Sequence, residues 1–541
     1  MYLLGTHRSV ADRLKLSTRR ELGAGNFFWH VCEIARDPDR PLLFRIEDGA
    51  VTGRSLAELR DDVLRRAHWY AQEGVKPGTR VGVHLRDGLA GFVHHIAITT
   101  LGGVTTLTNP RLPPDVAAHY FDRTETALVV TDIEVPAGSG RRYVDEKTVD
   151  VPWDGPSPPV PDTHRHTDDD LVLISHSSGT TGVPKPTAFA HRTFSVGKRE
   201  RLWKFPSLRT DRMLTALPHS HSSGISYLSL ALMLGMPAML ADGTSGEAVA
   251  EAMNAFRPTL VLGFPGALAE LPISSLTTEA ADAVHTWMGM GDASHERHIR
   301  PLVALGRGGS TYVDGLGSSE MGMVLFKHAY TAGSTTYARA IGKPVRVVRE
   351  AAALDDEGRV LPPGEAGLLG VRTPSVTPGY VNDETLNHLA RSGGFFLTGD
   401  VVRQDESGIW YHLDRTPDVI ETAGGPVYSL PLEEVVLNET KALDAAVIAV
   451  ADPAAPGRSV PAAVVLFGHG EVPDAEEIRA SCNLALARAG LTTLAAVVVA
   501  CSRSELPVGV TGKVLKRELR ERHRELLTGA ANGAEPKGWH G

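Results

Sequence analysis

Three cysteines in 541 residues, Cys32, Cys482 and Cys501, are too few and too scattered for a disulfide framework or a zinc site. They fit a reducing cytoplasm. The chain also lacks an apolar run long enough to cross a bilayer. Its longest, Tyr227 to Leu240, is broken by Gly235 and Pro237 and falls short of the roughly 20 residues a spanning helix requires. That run reads as the end of a buried helix followed by a strand. There is no basic run or stripe; Lys and Arg are mixed with Asp and Glu to a formal net charge of −9, which argues against a nucleic-acid partner. At the N-terminus, Met1 to Gly5 offers too short an apolar core for a secretory signal before Arg8 and Asp12 arrive. No internal repeat is evident. The remaining class is a globular protein with 42% hydrophobic residues, ample for packed cores, and of a size for two to four domains.

Strand and helix patterns alternate along the chain. Gly74 to Val83 reads as a helix end, a turn and a strand; Leu89 to Leu101 is helix-like, and Val104 to Leu107 resumes strand character. Arg123 to Asp132 repeats the theme. Val135 to Asp168, rich in Pro, Asp and Gly, reads as a surface connection. A second alternating region runs from Leu214 to Gly291, with strands expected at Met239-Leu240 and Thr259 to Leu262. Past Gly342 shorter β-like pieces take over, among them Gly367 to Val371 and Ile409 to Leu413. After Asp418 an independent α/β unit is expected: strands near Ala445 to Val450, Ala462 to Leu466 and Ala495 to Val499, and a helix from Ala475 to Ala489. The Gly/Ala-rich tail from Gly529 to Gly541 is expected to fray.

The most informative stretch follows the strand-like run Leu171 to Ile174. Ser177, Ser178, Gly179, Thr180, Thr181, Gly182 and Lys185 place hydroxyls, two glycines and a cation in nine positions. Glycine lets backbone N–H groups approach a polyphosphate, hydroxyls add donors, and lysine adds positive charge. The spacing is not that of the common P-loop, which needs Gly, four residues, then Gly-Lys-Ser/Thr.

The loop resembles the phosphate-binding signature of the adenylate-forming superfamily, which includes acyl- and aryl-CoA ligases, luciferases and peptide-synthetase adenylation domains. Further matches follow in order: His191-Arg192, then Asp314-Gly-Leu-Gly-Ser-Ser-Glu320, Leu397-Thr-Gly-Asp400, Asp414-Arg415 and Leu506-Pro-Val-Gly-Val-Thr-Gly-Lys513. Pro218-His-Ser-His-Ser-Ser-Gly224 resembles the acyl-pocket motif through His221, with His219 as a neighbour that could suggest a metal pair. Gly289 to Ala293 stands at the adenine-side turn and Gly263-Phe-Pro265 at the strand end lining the substrate pocket. The resemblance implies an α/β fold: a large N-terminal domain of layered α/β subdomains plus a small β-rich subdomain over residues 1–414, a hinge at 415–418, and a small mobile C-terminal α/β domain over 419–541. It implies that Lys513 is the adenylation lysine and that Glu320 and His221 join it as catalytic residues. Glu320 and Thr180 would hold Mg²⁺. ATP would lie against Ser177 to Gly182, Lys185, Leu316, Gly317, Ser318, Ser319, Asp400 and Arg415. A ribose suits Asp400, since an ionised carboxylate can accept from two hydroxyls. The helix Val514 to Arg520 after Lys513 is expected to show its other basic residues to solvent.

Four departures stand out. Leu316 occupies the place of an adenine-stacking tyrosine, and Pro186 replaces the glycine after the loop lysine. Ser429 or Pro431 stands for a usual proline. Pro417 sits where the family carries the Asp or Lys about which the small domain rotates, and proline fixes φ near −65°. Adenylation of a small aryl or acyl acid with loss of pyrophosphate is therefore expected, with CoA the leading acceptor. The alternative acceptor is an amine, giving an amide, or an aryl amine attacking activated nitrite to give a diazo group. An inactive binding homologue is the remaining reading.

Overall fold

The computed structural model describes residues 7–19, 22–23, 26–134, 141–149, 161–177, 184–218, 220–335, 337–468, 474–509 and 513–528. Within the first 190 residues a six-stranded sheet runs, in spatial order, Arg142–Asp145, Leu128–Thr131, Arg80–His84, Val104–Leu107, Leu171–Ser177 and Lys185–Ala190. Its centre is parallel because each strand there is followed by a crossover helix, Gly88–Thr100 or Pro114–Arg123. Asp87 fixes where the first helix begins, accepting from the N–H groups of Leu89 at 2.8 Å and Ala90 at 3.0 Å. The alternation expected from residues 74–132 is present.

The expected surface connection from Val135 to Asp168 is corrected. Arg142–Asp145 adds an edge strand parallel to Leu128–Thr131, and a short helix, Glu146–Val149, follows it. The carboxylate of Glu146 pairs with the buried Arg66 at 2.9 Å, and Val149 joins the main core. An edge strand reading Arg-Tyr-Val-Asp has too little apolar alternation to announce itself.

A second sheet of 14 strands spans the molecule. Its first half is parallel, from Pro41–Glu47 through Ala238–Leu240, Met213–Thr215, Leu260–Gly263 and Thr286–Met290 to Thr311–Gly317. Val324–Tyr330 then reverses direction and leads into antiparallel strands that include Ala366–Arg372, Phe395–Gln404 and Trp410–Arg415. This is the β-rich region expected past Gly342. The run Tyr227 to Leu240 resolves as expected: the helix Ser222–Leu234 stops at Gly235, whose φ of 66° an L-residue disfavours, and the strand Ala238–Leu240 follows.

Beyond Asp418 a three-stranded sheet, Asp444–Ala451, Ser459–Leu466 and Ala496–Ala500, carries helices Ser429–Thr440 and Ala475–Arg488 against one face. The helix Lys516–Arg522 covers the other face through Leu519. It starts two residues later than the sequence suggests, because Val514 bridges to Val508 instead. This unit docks through Glu434, which accepts from His295 at 2.7 Å and from the N–H of Glu296 at 2.8 Å. No helix among the described residues is long and apolar enough to cross a membrane.

Candidate active site

Leu171–Ser177 and Lys185–Ala190 form an antiparallel hairpin in which Ser177 is register partner to Lys185. Residues 178–183, with Ser178, Gly179, Thr180, Thr181 and Gly182, lie outside the described residues, as do the side chain of Ser177, and His219 and Gly512. The second strand is laced to the segment Thr377–Val381. Ala188 donates its N–H to the Gly379 carbonyl at 2.9 Å, Val381 donates to the Pro186 carbonyl at 2.9 Å, and the Thr377 hydroxyl donates to the Ala188 carbonyl at 2.6 Å. Pro186 uses only its carbonyl here, so replacing glycine sacrifices no bond in this lacing.

That lacing sets Tyr380 above Glu320. The phenol donates to the Glu320 carboxylate at 3.1 Å, and Thr377 N–H donates to the Glu320 carbonyl at 2.7 Å. Burial and the neighbouring Glu320 charge push the Tyr380 phenol upward, so it remains a donor. Ser319 is buried with its hydroxyl unpartnered among the described residues, which fits a donor awaiting a ligand oxygen. Gly317 and Ser318 line a cavity at the same strand end, whereas Leu316 packs toward Met321, Met323 and Phe326. It would give adenine apolar contact without an aromatic face.

Asp400 is 3% exposed and sits on Phe395–Gln404 opposite Arg415 of Trp410–Arg415. Gly399, at φ 78°, breaks the register of this strand against Ala366–Arg372, so the Thr-Gly-Asp motif is a bulge that re-aims the carboxylate. Arg415 Nε lies 3.1 Å from Asp400 Oδ1 and His412 Nε2 3.5 Å from the same oxygen. Burial alone would raise the Asp400 carboxyl, but Arg415 and His412 prevail and hold it well below the usual carboxylate range. It stays an ionised acceptor.

Lys513, from the C-terminal unit, reaches this cluster. Burial lowers its ammonium and the Arg415 charge adds to that, opposed by the negative charges of Asp292, Asp400 and Glu320. The arrangement unites Lys513, Glu320, Asp400 and Arg415, which the sequence separates by almost 200 residues. A carboxylate at Glu320 together with polyphosphate oxygens meets the needs of Mg²⁺, which takes few protein ligands. No group of three or more His, Cys, Asp or Glu among the described residues forms a self-sufficient metal site.

His221 caps the helix Ser222–Leu234, its Nδ1 2.6 Å from the Ser223 hydroxyl and its ring edge-on to Phe264 at 5.9 Å. Burial and the Lys513 charge push it down to about 4, so it is neutral near pH 7 and able to accept a hydrogen bond. It lines a cavity with Phe264, Gly291, Ser318, Tyr227 and Arg201. His191 and Arg192, although in register with the motif series, serve the scaffold. His191 Nε2 accepts from Gly23 N–H at 3.1 Å, and Arg192 pairs with Asp169 at 2.6 Å.

Two expectations near the C-terminus change. Lys516 is not on a solvated face: it donates to Glu433 at 2.6 Å and to the Ser429 hydroxyl at 2.6 Å. Ser429 itself, at the start of its helix, donates its N–H to Asp414 at 2.5 Å and its hydroxyl at 2.9 Å. A proline there would lack the first donor, so the departure from the motif is compensated locally. Tyr380, Asp292 and Arg201 were not among the sequence candidates. Asp292 stood inside the Gly289 to Ala293 turn and could have been found there; Tyr380 and Arg201 carry no motif.

The chain matches the AMP-binding enzyme family over residues 29–381. It is 35% identical over 549 residues to a 3-aminoavenalumate diazotase of Streptomyces sp, covering 95% of this chain and 98% of that one. It is 27% identical to a 2-succinylbenzoate–CoA ligase of Bacillus mycoides, covering 92% and 99%. Among solved structures, the Bacillus subtilis O-succinylbenzoate coenzyme A synthetase in complex with ATP and magnesium ion superposes with a TM-score of 0.77 at 22% identity, over 91% of this chain and 98% of that one. At that identity the superposition speaks to the fold.

Proposed function

The chain belongs to the AMP-binding enzyme family and is an ATP-dependent, AMP-forming ligase, and from that premise we propose that it adenylates nitrite and passes the activated nitrogen to an aryl amine, yielding a diazo group. The observation that carries this reading is the 35% identity, across 95% of the chain, to a diazotase, against 27% to CoA ligases of similar coverage. The hinge agrees. Thr416–Asp418 is a single 3-10 turn around Pro417, with the Thr416 hydroxyl on the Gly399 carbonyl at 3.2 Å and Asp418 paired to Arg520 at 2.7 Å. Such a junction favours the docked arrangement, and a second step performed in that arrangement needs no large rotation.

In the first step a nitrite oxygen attacks the α-phosphorus of ATP and pyrophosphate leaves. Lys513 would stand between the attacking oxygen and the α-phosphate, and a preorganised cation there lowers the barrier without reorganisation. Asp400 and Arg415 would fix the ribose, with Lys185, Ser319 and the residues Ser177 to Gly182 on the phosphates. Mg²⁺ at Glu320 would offset the charge of the polyphosphate. In the second step the aryl amine nitrogen attacks the nitrogen of the nitrite–AMP anhydride. AMP leaves with the bonding pair, the amine gives up its protons, and loss of water completes the N–N multiple bond. The His221 cavity would hold the amine; neutral His221 can accept a hydrogen bond from it.

Pyrophosphate release and product masses with isotopically labelled nitrite, with and without an amino-aryl acid and CoA, test the reading. Nitrite-dependent release and label in a diazo product are expected, indifferent to CoA. A CoA thioester, formed without nitrite, would instead make the protein an acid–CoA ligase.

A further inference from the structure

Arg201 is 4% exposed, lines the cavity that also contains His221 and Ser318, and leaves Nε and Nη2 without a hydrogen-bond partner among the described residues. Guanidinium cannot shed its proton to escape burial, and an uncompensated buried charge is strongly unfavourable. Its neighbours do little to relieve it. The Tyr227 ring lies 5.2 Å from the guanidinium carbon, a cation–π contact at the long end of the useful range. The other cations close by, Lys198 and Lys327, repel it, and Glu200, the acid that acts on it, makes no ion pair with it among the described residues.

The contrast with Lys198, one turn earlier on the same helix, is instructive. Lys198 is equally buried but donates to the Gly23 carbonyl at 3.2 Å and rests on the Phe27 and Phe194 rings. Arg201 has no such carbonyl among the described residues. Room has been kept around it: a Cβ on Gly197 would stand 3.1 Å from Nη2. Ser222, Ser223 and Ser226, from the first turns of the helix Ser222–Leu234, line the same cavity, and a helix N-terminus is a second feature that favours negative charge.

We propose that Arg201 is the specificity-determining residue of the organic-substrate pocket and that it pairs with a carboxylate at the far end of the substrate, away from the group that reacts beside His221 and Ser318. The inference deepens the diazo-forming reading, where the substrate becomes an amino-aryl carboxylate. It rests on that reading only for the identity of the reacting group.

The test is binding, not turnover: 3-aminocinnamate, 3-aminobenzoate and their methyl esters titrated calorimetrically into the parent, Arg201→Met and Arg201→Lys. A buried charge-assisted pair predicts that at least one acid binds the parent about 10- to 100-fold more tightly than its ester. In Arg201→Met that preference should vanish through loss of acid binding, with ester binding unchanged, and Arg201→Lys should keep part of it. The ligand-free Arg201→Met protein should melt no lower than the parent, since an unpaired charge has been removed. A purely structural role would lower the melting temperature and weaken acid and ester alike. Equal affinity of acid and ester in the parent, or no binding by any of the four, overturns the proposal. If Arg201→Met does not fold, the acid-to-ester ratios of the parent and of Arg201→Lys decide. Nitrite-dependent pyrophosphate release, measured separately, tests the diazo-forming reading on its own.

Discussion

Lys513 is the residue whose role depends most on being brought in from a distant part of the chain. Burial lowers its ammonium, while the negative charges of Asp292, Asp400 and Glu320 act in the opposite direction and favour the charged form that the proposed role at the α-phosphate requires. Lys513→Ala should slow pyrophosphate release by about 100-fold or more, the scale of removing one preorganised donor to a developing charge. ATP binding, measured by equilibrium titration, should change little, because Asp400, Arg415 and Lys185, proposed to hold the ribose and phosphates, are untouched; release at the parent rate would remove Lys513 from the mechanism. Lys513, Glu320, Asp400 and Arg415 were legible in the sequence because each sits in a short motif whose spacing is local. Tyr380 and Arg201 were not, since a tyrosine after Pro-Gly and an arginine in a basic helix look ordinary until the fold places one on Glu320 and the other inside an apolar cavity.

At the scale of elements, alternation of apolar runs revealed the central strands and their crossover helices. It failed where an element is short, at an edge, or stabilised by charge. Arg142–Asp145 is such an edge strand. The helix Lys516–Arg522 is another case: the basic residues of its sequence, Lys-Arg-Glu-Leu-Arg-Glu-Arg, read as a solvated face, yet Lys516 enters a buried network with Glu433, Ser429 and Asp414. Burial alone would lower the Lys516 ammonium, but the carboxylates of Glu433, Asp414 and Asp418 outweigh it and raise it. Removing the cation strands buried acids, so Lys516→Met should destabilise the C-terminal unit by about 3–5 kcal/mol in a denaturant titration. Lys516→Met combined with Glu433→Leu should recover part of that loss. A single variant within about 0.5 kcal/mol of the parent, the range of ordinary surface changes, would mean that the network is solvated after all.

For the whole molecule, two properties follow from how the parts are joined. One is acid sensitivity. His84, His176 and His191 are pushed down to about 4 by burial, and His95 and His166 to about 3. In the unfolded chain they would bind protons near 6.5. Below that pH the unfolded state takes up more protons than the native state, so stability is fully present above about 6.5 and falls as the pH drops toward 4. The melting temperature should therefore decline between pH 7 and pH 5, before carboxylates protonate; a flat profile across that window would show that these rings are solvated or charged in the native state. The other property is the junction. Arg415 belongs to the large sheet and pairs with Asp400, Asp418 is held by Arg520 of the last helix, and Pro417 lies between them with its φ restricted. A domain rotation pivoting here must change backbone angles at these residues, and proline resists that change. If the junction keeps Lys513 docked for both steps, Pro417→Asp should leave adenylation near the parent rate. It should also open a CoA-dependent thioester activity, or raise an existing one, by about tenfold, equivalent to about 1.4 kcal/mol of barrier. Thioester formation at the same rate in both proteins would separate the choice of acceptor from the hinge and place it in the pocket alone.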